Sequence, residues 1–186
     1  LNLNTLSHIA KHINENNISW CIGASLLLNF HGLVDNPQDM DIIVDKFQAE
    51  QLTSLLSSLG KIGPKGSLYP YATEHFYQYI VEDLSVDIMG GFKILHEKGV
   101  YEFILDSQSI VDYKDINDVS IPLSSLEDWF VLYQLMPNRE PKVALIEDYL
   151  KSKGVKHRKL LERALTQPLP EKVEARIIKL LKEACQ

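Results

Sequence analysis

The order in which hydrophobic periodicities change along this 186-residue chain most constrains how it can fold. Leu3, Leu6, Ile9, Ala10 and Ile13 recur at the spacing of one helix face, and that run closes in the polar turn "NENN". A short apolar strand follows, "ISWCIGA" (18–24), leading into "SLLLNFHG", a helix with Ser25 near its start and Gly32 at its end. A second strand, "DMDIIV" (39–44), precedes "DKFQAEQLTSLLSSLG", a helix closed by Gly60, with Asp45 and Gln48 read as its N-terminal cap. Residues 61–75, rich in Gly, Pro and Tyr, read as a loop or flap. "FYQYIV", the turn "ED" and "LSVDIMGG" then form a hairpin with β-branched and aromatic residues on both arms. Further strands are expected at "VYEFIL" and near "VSIPL".

From Ser124 onward the pattern is wholly helical. "SSLEDWFVLYQLM" is broken at Pro137, a helix over about 141–153 ends at Gly154, another covers 156–166, and a last one follows Pro170. The expected fold class is α/β of the α+β kind: a mixed β-sheet with flanking helices over residues 1–123, then a C-terminal helical region over 124–186.

Charge divides the chain in a similar way. Residues 1–136 hold 7 lysines, no arginine and 18 acidic residues, a net of −11, whereas residues 137–186 hold 12 basic and 7 acidic residues, a net of +5. An acidic sheet region suits metal ions and argues against a long polynucleotide partner, which calls for a broad basic face. No apolar run of membrane-spanning length and no signal-peptide pattern occurs, so a soluble cytoplasmic protein is expected. Cys21 and Cys185 are the only cysteines and lack metal or redox spacing; Cys21, in an apolar segment, reads as a small core residue. His8 and His12, at helical spacing, read as helix surface.

Three carboxylates stand out against this background. Side chains alternate along a strand, so Asp39, Asp41 and Ile43 share one face of "DMDIIV" while Met40, Ile42 and Val44 line the other. Two carboxylates that close repel one another, and a hard divalent cation such as Mg²⁺ is the usual reason to pair them. Asp87 lies in the middle of the apolar strand "LSVDIMGG", where a lone carboxylate is costly unless it is paired, hydrogen-bonded or bound to a metal. Upstream, "IGAS" sets Gly23 and Ser25 at a strand-to-helix turn, where close backbone approach and a hydroxyl suit a phosphate.

A Gly-x-Ser turn, an apolar-flanked Asp-x-Asp and a third Asp on a later strand resemble the DNA polymerase β-like nucleotidyltransferase superfamily, and within it the small bacterial antibiotic and minimal nucleotidyltransferases. The likeness covers about residues 18–90, and more loosely 121–150, where "SLEDWFVLYQLMPNREPK" is similar to the helical segment after the catalytic sheet. It implies Mg²⁺-dependent transfer of a nucleoside monophosphate from a nucleoside triphosphate (NTP), ATP among them, to an acceptor hydroxyl. Two Mg²⁺ ions can be held in such a site. By motif match, Asp39, Asp41 and Asp87 would bind metal and act in catalysis, and Gly23 and Ser25 would seat the β and γ phosphates. Ala24 stands where the family usually has Gly or Ser, Asp35 and Gln38 replace a basic and a small hydroxyl residue, and Gln134 replaces a lysine.

Charge placement nominates Arg139 and Lys142, in the turn "NREPK", as cationic partners of the triphosphate, ahead of Lys46, Lys93 and Lys114. Glu127, Asp128 and Asp87 are the candidates for a general base, the first two also suiting a helix cap. The expected partners are an NTP and a small-molecule acceptor. The alternatives are a catalytically inactive binding or regulatory protein on the same fold, and a toxin-type transferase acting on RNA or protein. An Asp-x-Asp sugar-nucleotide transferase and a haloacid-dehalogenase-like phosphatase fit less well, the first having no need of the upstream Gly-x-Ser.

Overall fold

In the computed structural model, which describes residues 1–63 and 69–183, the first amphipathic stretch is helix α1 (Leu3–Glu15). Asn2 starts it by accepting the Asn4 and Thr5 N–H groups on its side-chain oxygen. Leu6, Ile9, Ala10 and Ile13 are completely buried, the face that the spacing selects. Strand β1 (Trp20–Ile22), helix α2 (Ala24–Phe30), strand β2 (Asp39–Val44) and helix α3 (Ala49–Leu59) follow in alternation. After β3 (Lys61–Ile62), the hairpin arms are β4 (His75–Val81) and β5 (Leu84–Gly90). Next come β6 (Lys93–His96), β7 (Gly99–Glu102), β8 (Ile110–Ile116) and β9 (Val119–Ser124). The tail is α4 (Leu126–Gln134), α5 (Glu140–Lys153), α6 (Arg158–Ala164) and α7 (Glu171–Glu183).

The chain forms two compact units. The first, Leu1–Ser67, Thr73–Phe92 and Ile104–Ser124, is built on a seven-stranded mixed sheet of order β3-β4-β5-β2-β1-β9-β8. Its two parallel pairings are β2 with β5 and β1 with β9. Met40, Ile42 and Val44 of β2, with Val86 and Ile88 of β5, are at most 1% exposed and line one face. Helix α3 packs on that face: the Tyr79 hydroxyl donates to the Thr53 carbonyl at 3.2 Å, and a Cβ at Gly90 would lie 2.7 Å from that of Ala49. Glycine at 90 thus permits the close approach of helix to sheet. Burying each such Ile or Leu side chain contributes about 1.5–3 kcal/mol.

The second unit comprises Leu68–Ala72, Lys93–Phe103 and Ser125–Gln186. In it β6 and β7 pair as a two-stranded hairpin, and the Gln167 side chain grips the main chain of Glu102 through both its N–H and its carbonyl, each at 2.9 Å. Arg176 of α7 reaches Glu140 and Glu147 of α5 and lies over the Phe130 ring of α4.

Several local expectations change. The first strand is shorter than 18–24, because the chain leaves the sheet at Ala24, where φ is +49°. Asp45 does not cap α3: its carboxylate accepts the Phe47 N–H in a turn of its own, and Gln48, at the cap position, accepts the Ser19 N–H instead. Strands β6 and β8 were not anticipated from the sequence pattern. The loop expected over 61–75 contains β3 and a Tyr71 bridge to Ile94, and its residues 64–68 lie outside the described residues, as does Cys185. Cys21 is completely buried, as a core residue should be, and His8 and His12 meet edge to face on the outer side of α1.

Candidate active site

Strand register brings the three carboxylates together. Asp41 is paired with Asp87 across the parallel β2–β5 ladder, and Asp39 with Ser85, so Asp39, Asp41 and Asp87 all project from the sheet face opposite to Met40, Ile42, Val86 and Ile88. Neighbouring strands lie about 4.8 Å apart and alternate residues about 6.7 Å, which sets the spacing of the three α-carbons. All three are half-buried. Burial pushes the Asp87 carboxyl above the usual carboxylate range, a hydrogen bond from Gln78 pulls it back, and the charge of Asp39 pushes it up again. Among the described residues no group of three or more His, Cys, Asp or Glu side chains is gathered onto a point that could hold a metal ion, so the carboxylates share a face without converging.

The Gly-x-Ser turn lies beside this face. The Gly23 N–H donates to the Asp41 carbonyl at 3.1 Å, prolonging the antiparallel β1–β2 pairing in which Ile22 faces Ile42. That bond ties the turn to β2, and it also uses the Gly23 amide, which therefore does not offer itself to a phosphate. Ala24 adopts the left-handed conformation at φ +49°, a strained position for a residue with a Cβ. Ser124, at the end of β9, donates its hydroxyl to the Ile22 carbonyl at 2.7 Å and pins the other side of β1.

The structure places the other candidates as follows. In the helical unit, Arg139 precedes α5 and the Lys142 ammonium lies 5.3 Å from the Tyr133 ring centroid. Lys46 faces Glu74 at 3.9 Å, Lys93 faces Glu102 at 4.0 Å, and Lys114 is exposed on β8. Asp128 and Glu127 are buried and bonded at helix starts. Ser125 Oγ accepts the Asp128 N–H at 2.9 Å and donates to the Asp128 carboxylate at 2.7 Å, while Glu127 accepts the His157 N–H at the start of α6.

One contributor escaped the sequence reading. Gln78, opposite Asp87 in the β4–β5 ladder, donates its side-chain amide to Asp87 Oδ1 at 3.0 Å. The signal was available, because a two-residue turn at Glu82 and Asp83 pairs Val81 with Leu84 and so counts Gln78 onto Asp87.

This arrangement has solved counterparts. A Thermotoga maritima protein provisionally named a nucleotidyltransferase superposes with a TM-score of 0.59 at 21% identity, over 81% of this chain and 92% of its own. The antibiotic-resistance factor ANT(2'')-Ia superposes with a TM-score of 0.57 at 13% identity, over 98% of this chain and 92% of its own. The lincosamide antibiotic adenylyltransferase LnuA, with lincomycin bound, gives 0.52 at 16% identity, over 77% and 94%. The chain has a minimal nucleotidyltransferase-type fold. No protein-family model and no curated protein matches the sequence.

By its chemistry the donor set suits a divalent cation, although its side chains do not converge on one point. All three side chains offer carboxylate oxygens, the ligand type of Mg²⁺. The Asp39 charge pushes the Asp87 carboxyl up, a repulsion that a bound cation would relieve.

Proposed function

We propose that the protein is a Mg²⁺-dependent nucleotidyltransferase that moves a nucleoside monophosphate from an NTP to a hydroxyl of a small-molecule acceptor, releasing pyrophosphate. The observation that carries this reading is the parallel register that aligns Asp41 with Asp87 and keeps Asp39 on the same face. Asp39 and Asp41 hold the cation from one strand and Asp87 from the next, and the β2–β5 ladder fixes the spacing of their backbones. Bound there, Mg²⁺ supplies charge neutralisation for the phosphates and a lowered pKa for the attacking hydroxyl.

The chain's own groups divide the remaining work. Ser25 contributes a hydroxyl to the phosphates from a turn that the Gly23–Asp41 bond holds against β2. Of the three base candidates, Glu127 accepts the His157 N–H and Asp128 the Ser125 hydroxyl, which leaves Asp87 to accept the acceptor's proton. A small-molecule acceptor is supported by the lincomycin-bound adenylyltransferase and by ANT(2'')-Ia in complex with adenylyl-2''-tobramycin. The net charge of −11 over residues 1–136 disfavours a nucleic-acid acceptor. Among the described residues no helix is long and apolar enough to cross a membrane, and the cytoplasm is the proposed location.

The test is calorimetric titration of each NTP with Mg²⁺ into the wild type and the Asp39→Asn, Asp41→Asn double variant. Metal-dependent NTP binding that vanishes in the folded variant supports the transferase and opens an acceptor screen read by pyrophosphate release. A folded wild type that binds no NTP refutes the enzyme and leaves a non-catalytic protein on this fold.

A further inference from the structure

Gln78 is an unexpected residue where it stands. Strand β4 reads "HFYQYIV", and every neighbour of Gln78 in it is aromatic or aliphatic apart from His75. Such strands favour β-branched and aromatic residues, and fixing a long amide side chain costs rotamer entropy. The strand does not need the amide to hold its place. Main-chain pairing with β5 runs unbroken from His75 to Val81, and the Gly63 N–H donates to the Gln78 carbonyl at 2.7 Å from the other side.

What the side chain does is hold one oxygen of one carboxylate. Its amide N–H meets Asp87 Oδ1 at 3.0 Å, which fixes the rotation of that carboxylate and commits one of its two oxygens. The donor's chemistry matters as much as its position. A Lys or Arg here would form an ion pair and cancel the charge of Asp87, in competition with any cation bound on the same face. A neutral amide orients the group and leaves its full negative charge and its second oxygen available.

We infer that Gln78 is a positioning residue that presents Asp87 Oδ2 to a divalent cation held with Asp39 and Asp41. This rests on the metal-site reading above. Gln78 touches neither cation nor nucleotide; it acts through Asp87. Losing an outer partner of this kind typically weakens metal affinity by about 10–100-fold.

The experiment is a double-mutant cycle on Mn²⁺ affinity, measured by electron paramagnetic resonance of free Mn²⁺ and checked by Mg²⁺ competition. The proteins are the wild type, Gln78→Met, Asp87→Asn and the double variant. Methionine nearly matches the volume of glutamine but cannot donate. If Gln78 acts through Asp87, Gln78→Met weakens Mn²⁺ binding by about 10-fold in the wild-type background and changes nothing once Asp87 is Asn. A residue that only supports the sheet gives the same loss in both backgrounds, and that additivity overturns the inference. So does wild-type affinity in Gln78→Met, in which case the metal site itself stands. A wild type that binds no Mn²⁺, with or without NTP, overturns the metal site and this role together. If Gln78→Met does not fold, Gln78→Thr takes its place in the cycle, since threonine favours strands and is too short to reach Asp87.

Discussion

Replacing Asp87 by Asn makes a prediction whose sign depends on whether cation is present. In the metal-free protein the Asp87 carboxylate sits half-buried beside Asp41 and near Asp39, and burial and the Asp39 charge both disfavour its ionised form. Two carboxylates about 6 Å apart at an effective dielectric of about 40 repel by roughly 1.4 kcal/mol, which solvent screening reduces to about 1 kcal/mol. Asn keeps the shape and the oxygen that accepts from Gln78, so Asp87→Asn removes the repulsion without opening a cavity. The variant is expected to be about 1 kcal/mol more stable in EDTA, a rise in Tm of about 2–4 °C for a chain of this size. In excess MgCl₂ the order reverses, because a ligand at 100 times its Kd stabilises only the protein that binds it, by about 2.7 kcal/mol.

The pH dependence has a definite sign. A carboxyl raised in the folded state makes that state bind more protons than the unfolded chain, so the metal-free wild type loses stability as pH rises from the ordinary carboxylate value through the raised one. The loss is complete above the raised value, and the variant lacks that component of the slope. Thermal unfolding followed by circular dichroism, with and without EDTA, reads all three effects. An Asp87→Asn protein that is less stable in EDTA, or that gains as much from Mg²⁺ as the wild type, refutes the reasoning.

Three further perturbations test other parts of the structure. Ala24→Gly relieves a left-handed backbone position whose cost of about 1–2 kcal/mol exceeds the added chain entropy of glycine, so the variant should gain about 0.5 kcal/mol in urea unfolding. Ser125→Ala removes the N-cap of α4 and a hydroxyl donor to the buried Asp128, and should cost about 1–2 kcal/mol by the same measurement. Burial pushes the Glu147 carboxyl up, but hydrogen bonds and charge from Lys151 and Arg176 outweigh it and hold the group below the usual range. Its contribution is therefore present above the unfolded pKa and lost as pH falls through the folded one. Glu147→Gln should cost about 1 kcal/mol at neutral pH and nothing in acid below both values, read by unfolding at the two pH values.

The central strands were legible because their two faces differ. "DMDIIV" alternates charged and apolar residues over its first four positions, and β2 runs over those six residues. The hairpin was legible for the same reason, and its two-residue turn fixed the Gln78–Asp87 pairing in principle. The parallel register of β2 on β5 was not, since the intervening α3 and two strands set no fixed count; that Asp41 meets Asp87 is a product of packing. Strand β8 was illegible because it is an edge: Asp112, Tyr113, Lys114 and Asp115 are all exposed, so no alternation marks it, and such charges are what edges use to avoid pairing with other chains. The left-handed Ala24 was also hidden, since sequence gives alanine no reason to adopt it.

The sheet separates what the fold needs from what the proposed chemistry needs. Met40, Ile42, Val44, Val86 and Ile88 supply the buried face against which α3 packs, and truncating Met40, Ile42 or Ile88 to alanine should cost about 2–5 kcal/mol. Asp39, Asp41 and Asp87 alternate with those residues on the same two strands and gather three negative charges on the opposite face. A sequence selected for stability alone would place neutral residues at those positions and gain from doing so. Adjacent positions on β2 should therefore respond with opposite signs: in EDTA, Asp41→Asn raises Tm and Ile42→Ala lowers it. Mg²⁺ should raise the Tm of Ile42→Ala as it does the wild type's, while Asp41→Asn responds little. A Mg²⁺ response that follows the stability of the sheet instead of the charge on its face would mean that the carboxylates serve the fold, and the metal site would have to be abandoned.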